Sequence, residues 1–247
     1  MIKKIWRNLP KYFDGKNGVY NALVVSVAGL VLGFILAIIV FQIKTLLDSA
    51  HKPVSSEKKS INNYLKKSIS RTIDGIFDIF LGVPIPAQAL LIYNISRLDY
   101  IKKIHHLSYF YIGLIVITIN ATVHIAVMIL NHIKFTDKGQ VEAAYALGMN
   151  DKQAFKYVVF HQALRKSKMG ILNQFIVNVQ NTAFLNIIGF VDIMFIAKTN
   201  ATVDSDYITP YTTVSILYLT LIFVSRWLFK CIEKRQLIRK KSKLLKK

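Results

Sequence analysis

Asp74 and Asp78 stand four residues apart, one turn of a helix, the spacing that would put two carboxylates on one face for acid/base or proton-relay work. The same spacing serves a plainer purpose, pairing with Lys and Arg near the end of a span. His105 and His106 are adjacent and cannot share a helix face as an i, i+4 metal pair does, so a loop role suits them better. His124 sits alone in an apolar stretch, where it either meets substrate or a proton or is a satisfied bundle histidine. Asn120, Gln174, Asn178, Gln180, Asn181 and Thr182 put amides and a hydroxyl in apolar surroundings, fit either for interhelical hydrogen bonds or for lining a cavity. An enzyme would need a clustered acid, base or nucleophile set, and only the acid pair and isolated histidines are present. Cys231, the single cysteine, permits no intrachain disulfide and no cysteine cluster for a metal. No phosphate loop of the GxxxxGK type occurs, so nothing here binds ATP by itself.

The elements that carry these residues follow from two opposed facts. Thirty-three Lys and Arg against thirteen Asp and Glu give a net charge of +20 on 247 residues, yet 53% of the chain is hydrophobic and mean hydropathy is +0.38. Charge alone would suggest nucleic acid, but long uncharged runs point to a bilayer. Val19 to Ile43 is 25 residues without a charge, enough as a helix at ~1.5 Å per residue to cross a ~30 Å hydrocarbon core. The basic residues before it resemble a signal-peptide n-region, but the apolar run is too long and lacks a small-x-small site, so the span is expected to stay uncleaved. Leu107 to Asn131, Met169 to Ala197 and Ile208 to Leu228 are further spans. A weaker one, about 73–93, contains Pro84 and Pro86; the carbonyls those prolines free must be satisfied by neighbouring protein or water. The fold expected is an all-α, polytopic membrane bundle of about five transmembrane helices.

Loop charge sets orientation. With the C-terminus in the cytoplasm, segments 44–72, 132–168 and 229–247 carry seven, seven and nine Lys plus Arg, against five, three and one for 1–18, 94–106 and 197–207. That bias places the basic excess inside. The chain then divides into an extracytoplasmic segment 1–18, a membrane domain 19–229 and a basic cytoplasmic tail 230–247, with 48–71 as a solvated loop. The positive charge is accounted for by loop bias and attraction to anionic lipid. After Phe229 the tail has no aromatic partner for a nucleic acid.

Between the third and fourth spans lies an elbow, 137–165. Asp137 followed by Gln140 is a capping-box-like start, and Val141 to Leu147 is rich in helix formers. Gly148 stops that helix, and Asn150 with Gln153 starts another. From the residues alone, this unit serves equally as a docking surface for another protein or as an interfacial hairpin that only links spans.

Glu142-Ala143-Ala144, then Gly148, then Val158-Val159-Phe160 resembles the EAA motif of the permease subunits of ATP-binding-cassette importers. The surrounding pattern is similar to the polar amino acid permease family. Phe80-Leu81-Gly82-Val83-Pro84, with Gln88 and Leu91-Ile92-Tyr93, resembles that family's second span. Asn120, Lys138-Gly139-Gln140, Gln162-Ala163-Leu164-Arg165, Asn173-Gln174-Phe175-Ile176, Thr182 and Ile188-Gly189 follow in order, over about residues 18–235.

The resemblance implies a membrane-spanning importer permease moving a small polar solute, an amino acid first among them. Its implied partners are a cytoplasmic ATPase subunit, a second permease subunit and an extracytoplasmic solute-binding protein. ATP and Mg would be held by the ATPase, with no cofactor bound here. Glu142, Ala143, Ala144, Leu147 and Gly148 would couple the ATPase to alternating access, with the alanines admitting close approach. The implied candidates for the translocation path are Asp78, Gln88, Asn120, His124, Gln174, Gln180, Asn181 and Thr182. Departures from the pattern are His161 for the usual Pro, Leu81 for Arg, Val127 and Leu130 for Glu and Arg, Asn131 and His132 for glycines, and Gln180-Asn181 for Lys-Asp. These departures remove ionisable groups, which are costly inside a membrane and usually kept there for function. They favour a heterodimer whose other half carries the substrate polarity, and they leave open a permease-derived membrane scaffold without its own substrate site.

Overall fold

The computed structural model describes residues 2–14, 18–47, 61–98 and 107–244, and side chains within these except those of 2, 61–63 and 236–244. Among the described residues the elements are helical throughout: α1 (Ile2–Asn8), a 3-10 turn (Leu9–Tyr12), α2 (Val19–Leu47), α3 (Ile61–Gly82), α4 (Ile85–Ser96), α5 (Tyr109–Lys134), α6 (Lys138–Ala146), α7 (Asp151–Gln153), a π-helical stretch (Ala154–Phe160), α8 (His161–Thr182), a 3-10 stretch (Ala183–Ile188), α9 (Ile193–Asp204) and α10 (Ile208–Leu244).

The bundle is built on α2 against α5. Helices in a bilayer gain nothing from leaving lipid for each other, so association depends on close van der Waals contact, and small residues permit it. Ala22, Ser26, Gly29, Gly33 and Ala37 form that stripe on α2, all buried. A Cβ at Gly29 would come within 2.7 Å of Ile117 Cγ2, and one at Gly33 within 2.7 Å of Ala121 Cβ and 3.1 Å of Thr122 N. The opposite face of α2 exposes Val27, Val31, Ile35, Ile39 and Ile43, the apolar surface a helix shows to lipid. α8 packs on both, through Asn178 bonded to Ser26 O of α2 and Gly170 against Met128 of α5, and Leu185 of the following 3-10 stretch abuts Gly113 of α5.

The two ends of α2 carry different clusters. At its start, Tyr12, Val19 and Ala22 pack with Ile193 and Ala197 of α9 and Val214 and Leu217 of α10. At its other end, Phe41 belongs with Phe77, Ala121 and Ile129, and Phe155 and Phe160 lie against them. The N-terminal segment and the turn 205–207 therefore share one end of the bundle, and the 137–165 elbow occupies the other. Lys4 Nζ lies 3.2 Å from Asp206 Oδ2. Hydrogen bonds from the Thr209 backbone and hydroxyl, with Lys4 beside them, hold the Asp206 carboxyl down to about 2, so this link survives through ordinary pH.

Several boundaries differ from the sequence expectation. The 48–71 stretch is not all loop: α3 begins at Ile61, and 48–60 lie outside the described residues, as do His105 and His106. The 73–93 span is not one helix, because α3 and α4 meet at a 109° bend around Val83 and Pro84. The fourth span, 169–197, breaks at Gly189 (φ +87°) and bends by 48° into α9. Asp192 caps α9 by accepting from Phe195 N at 2.8 Å, which is what starts a helix there. The tail from 230 is no separate segment, since α10 runs unbroken to Leu244. Among the described residues three helices are long and apolar enough to cross a membrane, and up to five crossings result if each bent pair is one.

The Gly33 contact predicts that Gly33→Ala destabilises the protein by about 1–3 kcal/mol through overpacking. Gly75→Ala, whose added carbon meets nothing within 4 Å, should not destabilise it. Thermal unfolding of the detergent-solubilised variants checks both.

Candidate functional site

The elbow is built by three local devices. The Asp137 side chain accepts from Gly139 N at 2.8 Å and so caps α6. No capping box closes there, contrary to expectation; Gln140 instead accepts at 3.3 Å from Gln162 Nε2, tying α6 to α8. At the far end Met149 N donates to Ala144 O at 3.1 Å and Gly148 N to Tyr145 O at 2.9 Å, with Gly148 at φ +79°. That pair of bonds around a left-handed glycine is the Schellman closure, which other residues occupy only at a cost. Asn150 and Gln153 then complete a reciprocal capping box at 2.9 and 3.0 Å.

After this turn the chain winds wide. In the π-helical stretch residues five apart come toward one side, and Phe155 and Phe160 both stack on Phe41, at 6.2 and 5.1 Å between centroids. Two aromatic contacts thus fasten the elbow to α2. Lys44, 5% exposed, pairs with Asp74 near this end of α2, which is what becomes of one member of the acid pair; Asp78 is exposed and apart. Asp151 beside the Tyr145 hydroxyl adds to partial burial in holding that phenol above its usual range.

The five coupling residues do not share one surface. Glu142, Ala143, Leu147 and Gly148 are exposed, Leu147 to 80%. Ala144 is buried and faces the bundle, so close approach by another protein through its methyl is ruled out. What α6 offers outward is a carboxylate, a small patch at Ala143 and an unburied leucine.

The intramembrane polar residues divide likewise. Gln174 Nε2 donates to Asn178 Oδ1 at 3.1 Å, and Asn178 Nδ2 donates to Ser26 O at 3.2 Å. Thr182 Oγ1 donates to Val179 O at 2.8 Å. Residues 174, 178 and 182, four apart, face inward, Asn178 bonding α2, whereas Gln180 is exposed and Asn181 half-buried on another side. The register fixed by Gly113 with Leu185 and Met128 with Gly170 brings buried Asn120 to the height of Asn178 and half-buried His124 to that of Gln174. Asn120 Oδ1 has no partner. Gln88 is at the bend: its Nε2 donates to Phe80 O at 2.8 Å and Val83 O at 2.7 Å. Pro84 has no N–H for the Phe80 carbonyl, and the Gln88 amide takes its place. Buried Asp192 and its partner Tyr218, 3.1 Å away, form a further polar contact, foreshadowed in the sequence by an acid inside an apolar run.

This arrangement of bent pairs around α2 and α5, with an outlying elbow, has known counterparts. Residues 60–238 match the family described as binding-protein-dependent transport system inner membrane component. The chain belongs to that family. Among curated relatives of this inner membrane component, the L-cystine transport system permease protein TcyL of Bacillus subtilis is 29% identical over 159 residues, 63% of this chain. The match takes in just under two thirds of TcyL, 66%. The arginine transport system permease protein ArtQ of Bacillus subtilis is 24% identical over 64% of this chain and 70% of its own. A putative glutamine transport system permease protein GlnP of Rickettsia felis is 28% identical, over 65% and 72%. Among solved structures, a crystal structure of an amino acid ABC transporter with histidines has a TM-score of 0.76 at 24% identity, over 94% of this chain and 97% of its own. The MetNI methionine ABC transporter, inward facing, gives 0.67 at 19%, over 87% and 92%. At these identities the two structures show the shared fold.

Gln88→Leu should destabilise the inner membrane component by about 1–3 kcal/mol, since it strands two carbonyls at the bend. Gln88→Glu, which keeps the size and loses the donors, should cost at least as much; urea or thermal unfolding of the purified variants measures both.

Proposed function

We propose that this chain is the permease subunit of an ATP-driven importer for a small polar solute, an amino acid. Moving the solute depends on the elbow, which takes force from a cytoplasmic ATPase that binds ATP and Mg. The observation that carries this reading is an exposed α6 surface of Glu142, Ala143 and Leu147, closed by a Schellman turn and clamped through Phe155 and Phe160 onto α2. A clamped elbow transmits displacement; a floppy one would dissipate it. Glu142 presents a charge to cationic or hydrogen-bonding groups of the ATPase, and Gly148 sets the angle at which α6 meets them. The cystine, arginine and glutamine systems of the similar permeases support an amino acid as the solute.

The elbow and the C-terminus belong in the cytoplasm and the N-terminal segment outside, as the basic excess at one end supports. A second permease completes the membrane unit, and an extracytoplasmic solute-binding protein delivers the solute. Gln180, Asn181 and Asp78, which do not point into this subunit's own packing, are the residues best placed to face a path shared between two subunits. The inward amides of Gln174 and Asn178 are already bonded. Because so many polar groups here are committed to helix packing, the pair is a heterodimer whose other half supplies most solute contacts.

Co-purification with a candidate cytoplasmic ATPase subunit, followed by uptake in proteoliposomes, tests this. Glu142→Lys and Gly148→Asp should each lose the ATPase on purification or cut uptake by about tenfold or more, while the fold and membrane insertion remain. Unchanged co-purification and uptake would contradict the coupling role. In the same preparation, solute-stimulated ATP hydrolysis with this permease alone would contradict the heterodimer.

A further inference from the structure

α3 touches the rest of the bundle along one face. Phe77, with Ile73 and Phe80, packs into the cluster that contains Phe41, Ala121 and Ile129, while Leu65, Ile69, Ile76 and Ile79 are exposed. Apolar contact between helices in lipid has no direction, so such a face rolls or slides at little cost. The contact that gives it direction is polar: Lys44 of α2 donates to Asp74. Lys44 is 5% exposed, whereas the Asp74 side chain is 53% exposed. The cation is rooted in α2, and the carboxylate is what α3 brings to it. A buried ammonium stripped of its carboxylate is costly, so α3 does not roll past Lys44 without breaking the pair.

Position on both helices gives the pair a mechanical role. On α2, Lys44 stands about one turn beyond Phe41, on which Phe155 and Phe160 of the elbow stack. Displacement of the elbow therefore enters α2 within a turn of the point at which α3 is held. On α3, Asp78 follows Asp74 by four residues, ~40° around the axis and ~6 Å along it. Asp78 is exposed, and a helix is stiff over one turn, so whatever fixes the direction of Asp74 fixes that of Asp78.

We infer that Lys44 is a positioning residue for transport: through Asp74 it passes movement of the elbow to α3 and sets where Asp78 faces on the solute path. This rests on the reading of the chain as a permease moved through its elbow, and it names the contact by which that movement goes inward. Lys44 itself touches no solute. Its effect is to make α3 follow α2, where Phe77 and Ile73 alone would let it lag.

The test removes both charges at once. Lys44→Met with Asp74→Leu keeps the bulk, strands no charge and leaves an apolar contact in place of the pair, an exchange that folded proteins commonly tolerate. The full chain is purified with a candidate cytoplasmic ATPase subunit, and solute uptake and ATP hydrolysis are measured on the same proteoliposomes. Hydrolysis should stay within about twofold of wild type while solute moved per ATP falls by about tenfold; Lys44→Arg, which keeps the cation, should stay close to wild type. Spin labels at Ile39→Cys and Ile76→Cys, both exposed positions, in a Cys231→Ser background read the distance from α2 to α3. That distance should give one narrow peak with the pair and a peak about twofold broader without it. An unchanged ratio of solute to ATP in the double variant overturns the proposal, as does a peak that stays narrow. A parallel fall in both rates also overturns it, since a contact that only fastens the fold would do that. A wild type that neither retains the ATPase nor takes up solute overturns the transport reading and this proposal with it, a failure told apart because it needs no substitution.

Discussion

Everything in this bundle depends on how closely α2 can approach α5. Where water is absent, burying a leucine against another leucine gains little over leaving it in lipid, so the helices hold by fit. Gly29 and Gly33 open the surface of α2 by one side chain's depth, and Ile117 and Ala121 enter it. With that contact fixed, the rest of α2 acts as a ruler: its beginning receives Tyr12 and the starts of α9 and α10, and its end receives Phe155 and Phe160. The elbow is therefore positioned by a stripe of small residues several turns away.

The polar groups inside the bundle answer the second demand of a bilayer, that no backbone donor or acceptor be stranded. Gln88 restores what Pro84 removes, Asp192 starts a helix at a break, and the chain from Gln174 through Asn178 to Ser26 ties α8 to α2. Residue types that could contact a solute are in this way spent on packing. Gln180 is exposed and Asn181 half-buried on another side of α8, outside this set of bonds.

The sequence was most legible where a signal is local. The uncharged run of α2, the capping box at Asn150 and Gln153 and the stop at Gly148 are each decided by a few adjacent residues. It was also legible that the two prolines near 84 needed a partner, though not that the partner would be Gln88, four residues on, nor that the chain would turn through 109° there. Contacts between distant segments left no such trace. Ala144 looked like part of an outward surface because its neighbours are outward; only the packing of α6 on the π-helical stretch turns it in. The small stripe on α2 passed for ordinary apolar sequence, because its meaning lies in what Ile117 and Ala121 bring to it. Boundaries failed where helix continued without hydrophobicity, as from Ile61 into α3 and from Phe229 to Leu244.

The central claim is that one rigid bundle carries the elbow at the end opposite its N-terminal segment, facing the ATPase. Single cysteines at Lys4 and at Leu147, in a Cys231→Ser background, are to be labelled in intact cells and in inverted vesicles with a membrane-impermeant maleimide. The account predicts that Lys4→Cys reacts from outside and Leu147→Cys only in inverted vesicles. Labelling of both from the same side would contradict it.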